Sequence, residues 1–208
     1  MATLTPRGFE DVALDQMVTI VTTYVTAQKA AYLVAHPTAT AAQIAASVGF
    51  TVERDRLGGL DEETLKAQAA VVLGFSSESP DSSAGKTQKR SKASFFLDCY
   101  TARGESASEG IDGDKAAKAR LLYLKAQTEA AIWSLFNYHL GFAVGVIGKK
   151  SFGTWQDTSG TDEAGERWVV SGRWTFELDY EWAPESPQGV ALDSISVNAG
   201  LWSGLYTY

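Results

Sequence analysis

Residues 166–184, ERWVVSGRWTFELDYEWAP, alternate apolar and polar side chains almost without interruption. Trp168, Val170, Trp174, Phe176, Leu178, Tyr180 and Trp182 fall on one parity. Arg167, Ser171, Arg173, Thr175, Glu177, Asp179 and Glu181 fall on the other. A period of two sustained over this length calls for a strand buried on one face, and therefore for a sheet with another layer packed on it. As one strand the stretch would run to about 55 Å at ~3.3 Å per residue, well beyond the usual length. A break or bulge near Ser171–Gly172 is therefore expected, with Arg173–Trp182 as the central strand. The apolar parity reads as core; the charged parity faces water, a neighbouring subunit or a ligand.

The rest of the chain supplies the packing layer. Phe9, Val12, Met17, Ile20, Val21 and Tyr24 recur at helical steps within residues 9–35, and Pro37 ends the pattern. The Ala-rich segment 38–48 adds a turn or two of helix, and residues 51–68 read as a polar connection in which Asp61 can cap a single turn. AAVVLGF (69–75) and SFFLDCY (94–100) are short apolar runs that pair as a hairpin around a long polar tip, residues 76–93. Asp112 or Asp114 caps a second main helix from about 115 to 138, with Ala117, Leu121, Leu124, Thr128, Ile132 and Leu135 inward. Strand signals follow at 142–147, 152–156, 166–182 and 190–198, with a Gly/Asp/Ser-rich turn at 157–165. Runs of helices and strands in this order imply one α+β domain over residues 1–208: a largely antiparallel sheet, two main helices on one face, and a long β-hairpin. Within it, residues 199–208 form a C-terminal aromatic extension.

Several function classes are disfavoured. The net charge of −7 argues against a protein that grips phosphate backbones. Cys99 is the only cysteine, so an intrachain disulfide is impossible and a reducing compartment is expected. The N-terminal residues lack the pattern of a secretory signal. Residues 130–148 are apolar enough to imitate a membrane span and hold a GxxxG from Gly141 to Gly145, but Asn137 and His139 sit at their middle. A buried helix end running into a strand explains them better. PDSSAGKT (80–87) approaches a phosphate-binding loop, yet Pro80 replaces the first glycine and no helix pattern follows. His36 precedes Pro37 at a helix end, and His139 sits in an aromatic run as a satisfied, partly buried residue. No triad, metal-ligand spacing or cofactor motif is present in the sequence, so no enzyme and no cofactor are expected.

Two features suggest contact surfaces. Lys86, Lys89, Arg90 and Lys92 form a basic cluster on the hairpin tip of an acidic chain, either as a solvated loop or as a docking arm. Trp202, Tyr206 and Tyr208 in the final extension have no place in the strand pattern and suit docking on a neighbouring subunit.

A helix comes first, then the acidic segment Asp61-Glu-Glu-x-Leu65, a Val-rich strand, a long polar hairpin and a second strand. The helix KAAKARLLYLKAQTEAAIW and an aromatic C-terminal meander complete a pattern that resembles the tail terminator and neck proteins of long-tailed bacteriophages. The resemblance covers residues 8–198 in element order, and the Ala-rich segment 38–48 and the extension after Gly200 depart from a minimal terminator. It implies a non-enzymatic virion protein at the neck or top of the tail, assembled in the host cytoplasm as a ring, usually a hexamer. Such a ring caps the tail tube protein, meets the head–tail connector, and lets DNA pass its lumen without specific binding. Under this resemblance Glu177, Asp179 and Glu181 face the lumen or an adjacent subunit, and the basic tip reaches the tube or a neighbour. The alternatives are a head-completion adaptor of the same virion region and, from a different class, a small carbohydrate-binding module built on the Trp-rich sheet.

Overall fold

The computed structural model describes residues 8–54, 69–80, 89–104, 113–161 and 167–182. The fold is α+β. Helix α1 (Phe9–Ala35) buries Phe9, Ala13, Leu14, Met17, Val21 and Val25, a stripe at nearly constant four-residue steps. It ends where the His36 N–H donates to the Tyr32 carbonyl, just before Pro37. Helix α2 (Ala41–Ser47) starts on a capping box between Thr40 and Gln43.

A five-stranded sheet follows, in the order β1-β2-β3-β5-β4. Strand β1 (Thr51–Arg54) is parallel to β2 (Ala70–Pro80), and its Arg54 pairs with Asp11 and Asp15 of α1. The sequence expectation of a polar connection misses this strand, because four half-buried residues carry no alternation of their own. Strand β3 (Lys89–Gly104) is antiparallel to β2, so most of the tip expected over 76–93 is paired strand. Only residues 81–88 of that tip lie outside the described residues.

Strand β5 (Arg167–Trp182) pairs with β3 in one unbroken register, from Lys89 opposite Trp182 to Gly104 opposite Arg167. The break expected at Ser171–Gly172 is absent. The irregularities lie instead in its other partner, β4 (Ile147–Thr161), at 147–149 and 152–155. Gly172 serves close approach rather than bending: a Cβ there would lie 2.2 Å from the Trp155 ring. Residues 157–161 of the turn expected at 157–165 belong to β4, and the remainder of that turn and the strand expected at 190–198 lie outside the described residues.

Helix α3 (Gly113–Trp133) lies over β3 and β5, with α1 beside it and over β1 and β2. Ala117, Leu121, Leu124, Thr128 and Ile132 are buried as expected, but Leu135 is exposed. The helix stops at Trp133, and Ser134 leaves helical geometry and caps a 3-10 turn, Leu135–Asn137, so the inward period is lost. The chain returns to β4 through Leu140 (φ 50°), Gly141 (φ 78°) and Gly145 (φ 95°). The GxxxG is thus a pair of turn glycines. The strand expected at 142–147 is this connector, which meets β4 only at Ile147. Among the described residues no helix is long and apolar enough to cross a membrane.

The core is built from rows that cross the strands. Phe75, Phe95, Phe176 and Phe152 stand opposite one another on β2, β3, β5 and β4, and Leu73, Leu97, Trp174 and Trp155 form the next row. Trp133 of α3 stacks on Phe152 with ring centroids 3.5 Å apart, closing the aromatic layer from above. At the sheet end where β5 finishes, Phe9 stacks on Tyr180 at 3.7 Å, and the Tyr180 hydroxyl donates to Glu78.

Lys150 fastens the end of α3 to β4. Its Nζ donates to the Ile132 carbonyl at 2.9 Å and the Asn137 carbonyl at 2.8 Å, and burial lowers its pKa to about 8. The folded chain therefore binds fewer protons at this site than the unfolded chain between about pH 8 and pH 10.5, so this contribution makes stability rise with pH through that window. Burial raises the pKa of Tyr100, Tyr123 and Tyr180, which reverses the trend above about pH 10. The urea midpoint of the native chain should climb from pH 7.5 to pH 9.5 relative to that of Lys150→Met. Parallel curves for the two proteins would remove Lys150 as the cause.

Candidate functional site: the sheet face opposite α1 and α3

Because α1 and α3 share one face, the strand parity opposite to the core looks outward with no described element over it. Antiparallel sheets tolerate this arrangement when the outward parity is polar. On β5 it is polar and matched by Lys92 and Lys149 on the neighbouring strands. Lys92 on β3 stands opposite Asp179 on β5, with its Nζ 3.5 Å from Glu177 Oε2 and 4.0 Å from Asp179 Oδ1. Lys149 on β4 stands opposite Asp179 from the other side. All of these side chains remain substantially exposed, so the pairs add little stability but set the local charge.

Further along the same face Asp98 accepts two hydrogen bonds from Arg173, from Nε to Oδ1 and from Nη2 to Oδ2, each 2.7 Å long. The Asp98 side chain is 8% exposed and that of Arg173 56%, so the carboxylate is held under its partner. The Tyr100 hydroxyl donates to Asp98 at 3.3 Å, and the guanidinium lies 4.6 Å from the centre of the Phe96 ring. Phe96 in turn covers Gly74, where a Cβ would lie 2.1 Å from the ring. An open groove of about 530 Å³ runs past Lys92, Lys149, Asp179 and Glu181 at the end of the sheet where β5 finishes.

The structure thus brings together two sets of residues expected to act apart. Glu177, Asp179 and Glu181 occupy the outward parity of β5, and Lys92 of the basic cluster lies among them. The backbones of Lys89 and Arg90 stand opposite Trp182 and Glu181; their side chains, and the whole of Lys86, lie outside the described residues. So do Trp202, Tyr206, Tyr208 and Asp61. Sequence reasoning missed Lys149 and the Asp98–Arg173 pair. The available signal was Asp98 itself, a charge set between Leu97 and Cys99 on the outward parity of an apolar strand.

Few reactive groups stand near this face. The Cys99 thiol points into the core, and burial together with the neighbouring Asp98 pushes its pKa far up, which leaves it unreactive. His36 packs against Tyr32 at the end of α1. His139 is half-buried, and its Nδ1 lacks a hydrogen-bond partner, contrary to the expectation of a satisfied ring. No group of three His, Cys, Asp or Glu side chains among the described residues is arranged to hold a metal ion. Of the tryptophans whose side chains are described, Trp174 is buried, and Trp133 and Trp155 pack half-buried against the core.

No family model matches the chain, and no curated protein does. Among solved structures it is similar to a chain from the "Virion of native gene transfer agent (GTA) particle", with a TM-score of 0.34 and 16% identity. The match covers 66% of this chain and 84% of that one, a likeness to a virion component too distant to carry any inference about role.

Proposed function

We propose that the chain is a non-enzymatic structural subunit of a phage-like virion, a tail terminator that closes into a ring on the tail tube and meets the head–tail connector. What carries the reading is the asymmetry of the sheet. One face is bare of described helices, and the two edges are unlike: the short parallel β1 on one side, the long β4 on the other. Among the described residues β4 has a strand partner on one side only. Long open edges invite pairing with another chain, and a closed ring needs two different, complementary surfaces on opposite sides of one subunit. The element order that resembles tail terminators supports the same reading.

The charge pattern sharpens what the bare face would do in such a ring. Glu177, Asp179 and Glu181 form no purely acidic wall, because Lys92 on β3 and Lys149 on β4 flank Asp179 from both sides. A surface of mixed sign neutralises few phosphates and lets DNA pass with little drag, since each phosphate neutralised adds affinity. Sedimentation velocity and negative-stain electron microscopy of the purified chain test the proposal. Closed rings, or discs that cap tail tubes, are the expected result; a monomer at all concentrations, with no binding to tubes, rejects it.

A further inference from the structure

The connector 134–146, between α3 and β4, holds large apolar side chains out of the molecule. Leu135 is 89% exposed, Phe136 100% and Val144 84%, whereas Leu140, Phe142 and Val146 of the same connector pack on the core. The connector is pinned. The Asn137 amide donates to the Ala131 carbonyl at 2.9 Å, Lys150 donates to the Asn137 and Ile132 carbonyls, and the Tyr138 hydroxyl donates to the Gly148 carbonyl at 3.1 Å. Apolar groups held exposed on a fixed scaffold mark a contact surface rather than a loop tip that folds away at will.

The chain's own path indicates the occupant. The Glu181 N–H donates to the Val146 carbonyl at 2.9 Å, and β5 ends one residue later at Trp182. The polypeptide after Trp182 therefore starts beside the connector. Residues 201–208, LWSGLYTY, carry Leu201, Trp202, Leu205, Tyr206 and Tyr208 and no charge, in a chain of net charge −7. Eighteen residues separate Trp182 from Leu201, a covalent reach of at most ~60 Å. The covalent tether keeps this aromatic segment within reach of the connector at a local concentration above what a second molecule supplies in dilute solution.

We infer that the connector 134–146 is the docking surface for this chain's own segment 201–208, with Leu135, Phe136 and Val144 as its contact residues. The inference does not depend on ring formation.

Photo-crosslinking of the full chain tests it. The chain carries p-benzoylphenylalanine in place of Phe136, and unlabelled and ¹⁵N-labelled protein are mixed in equal amounts before irradiation and peptide mass spectrometry. Crosslinks from position 136 to residues 201–208, with both peptides of the same isotope, are the expected result. Isotopically mixed crosslinks, whether to 201–208 or to another surface of a second copy, overturn the inference, as do crosslinks that avoid 201–208 and their absence. An independent readout is the binding of a hydrophobic dye. A chain ending at Gly200 should bind it several-fold more strongly than the full chain, and Phe136→Ser with Val144→Ser should abolish that gain at an unchanged melting temperature. Equal dye binding by the truncated and full chains also overturns the inference.

Discussion

Replacement of Arg120 by Met is expected to destabilise the protein by about 2–4 kcal/mol, a large share of the ~5–15 kcal/mol that holds a typical domain together. Arg120 lies on the inner side of α3, almost fully buried, and its guanidinium reaches the carbonyls of Ala45, Ser47 and Gly49. These carbonyls belong to the last turn of α2 and the residues after it, where the helix leaves acceptors without internal partners. One cation thus serves a buried acceptor, the Gly49 carbonyl, and two part-buried ones, and ties α2 to α3. Methionine keeps much of the volume and removes every donor, so the Gly49 carbonyl stays buried without this partner and the part-buried carbonyls of Ala45 and Ser47 lose theirs. Lysine restores the charge but not the planar fork, and should rescue only part of the loss. In thermal unfolding, at roughly 2–4 °C per kcal/mol for a chain of this size, the Met variant should melt about 5–15 °C lower. A shift under 2 °C would mean that α2 is not held through this residue.

Phe176→Ala is expected to cost about 3–5 kcal/mol, the range for removing a large aromatic side chain from a packed core. Phe176 occupies the middle of the row that crosses the sheet. It stacks against Phe95 with centroids 5.6 Å apart, meets Trp133 of α3 edge-on at 6.4 Å, and contacts Trp174 at 5.9 Å. Neighbours on both sheet and helix border the space it fills, and rigid strands on either side limit collapse into the cavity. Substitution to Leu keeps most of the volume and should recover a good part of the stability. Urea unfolding of the three proteins checks this; a Phe176→Ala loss below 1 kcal/mol would place Phe176 outside the central packing.

The helices and the hairpin were legible because each has a buried stripe with its own period. Phe9, Met17 and Val21 mark α1, Leu121, Leu124 and Thr128 mark α3, and Leu97 with Cys99 marks the inner face of β3. Elements whose identity comes from their neighbours were not legible. Strand β1 is four half-buried residues that become a strand only by lying parallel to β2. The continuity of β5 depends on β3 being equally long, and Gly172 looks like a break until Trp155 is placed over it. Arg120 looks like a surface charge until α2 presents its carbonyls.

The candidate site divides in the same way. That Glu177, Asp179 and Glu181 share a face follows from alternation alone, and the strand confirms the shared parity. That Lys92 falls opposite Asp179 depends on a register between strands far apart in sequence, which no local pattern encodes. The basic arm and the acidic face therefore looked like two surfaces and are, at Lys92, one.

In the proposed ring the sheet face opposite α1 and α3 and the edge strand β4 turn to the inside and the subunit boundaries. A cryo-electron-microscopy reconstruction of the assembled particle measures this directly. The expected map has α1 and α3 on the outside, β4 against the next subunit, and Lys92, Glu177 and Asp179 toward the lumen or that boundary. A ring with the helices lining the lumen and the Lys92–Glu177 face on the outer rim would contradict it.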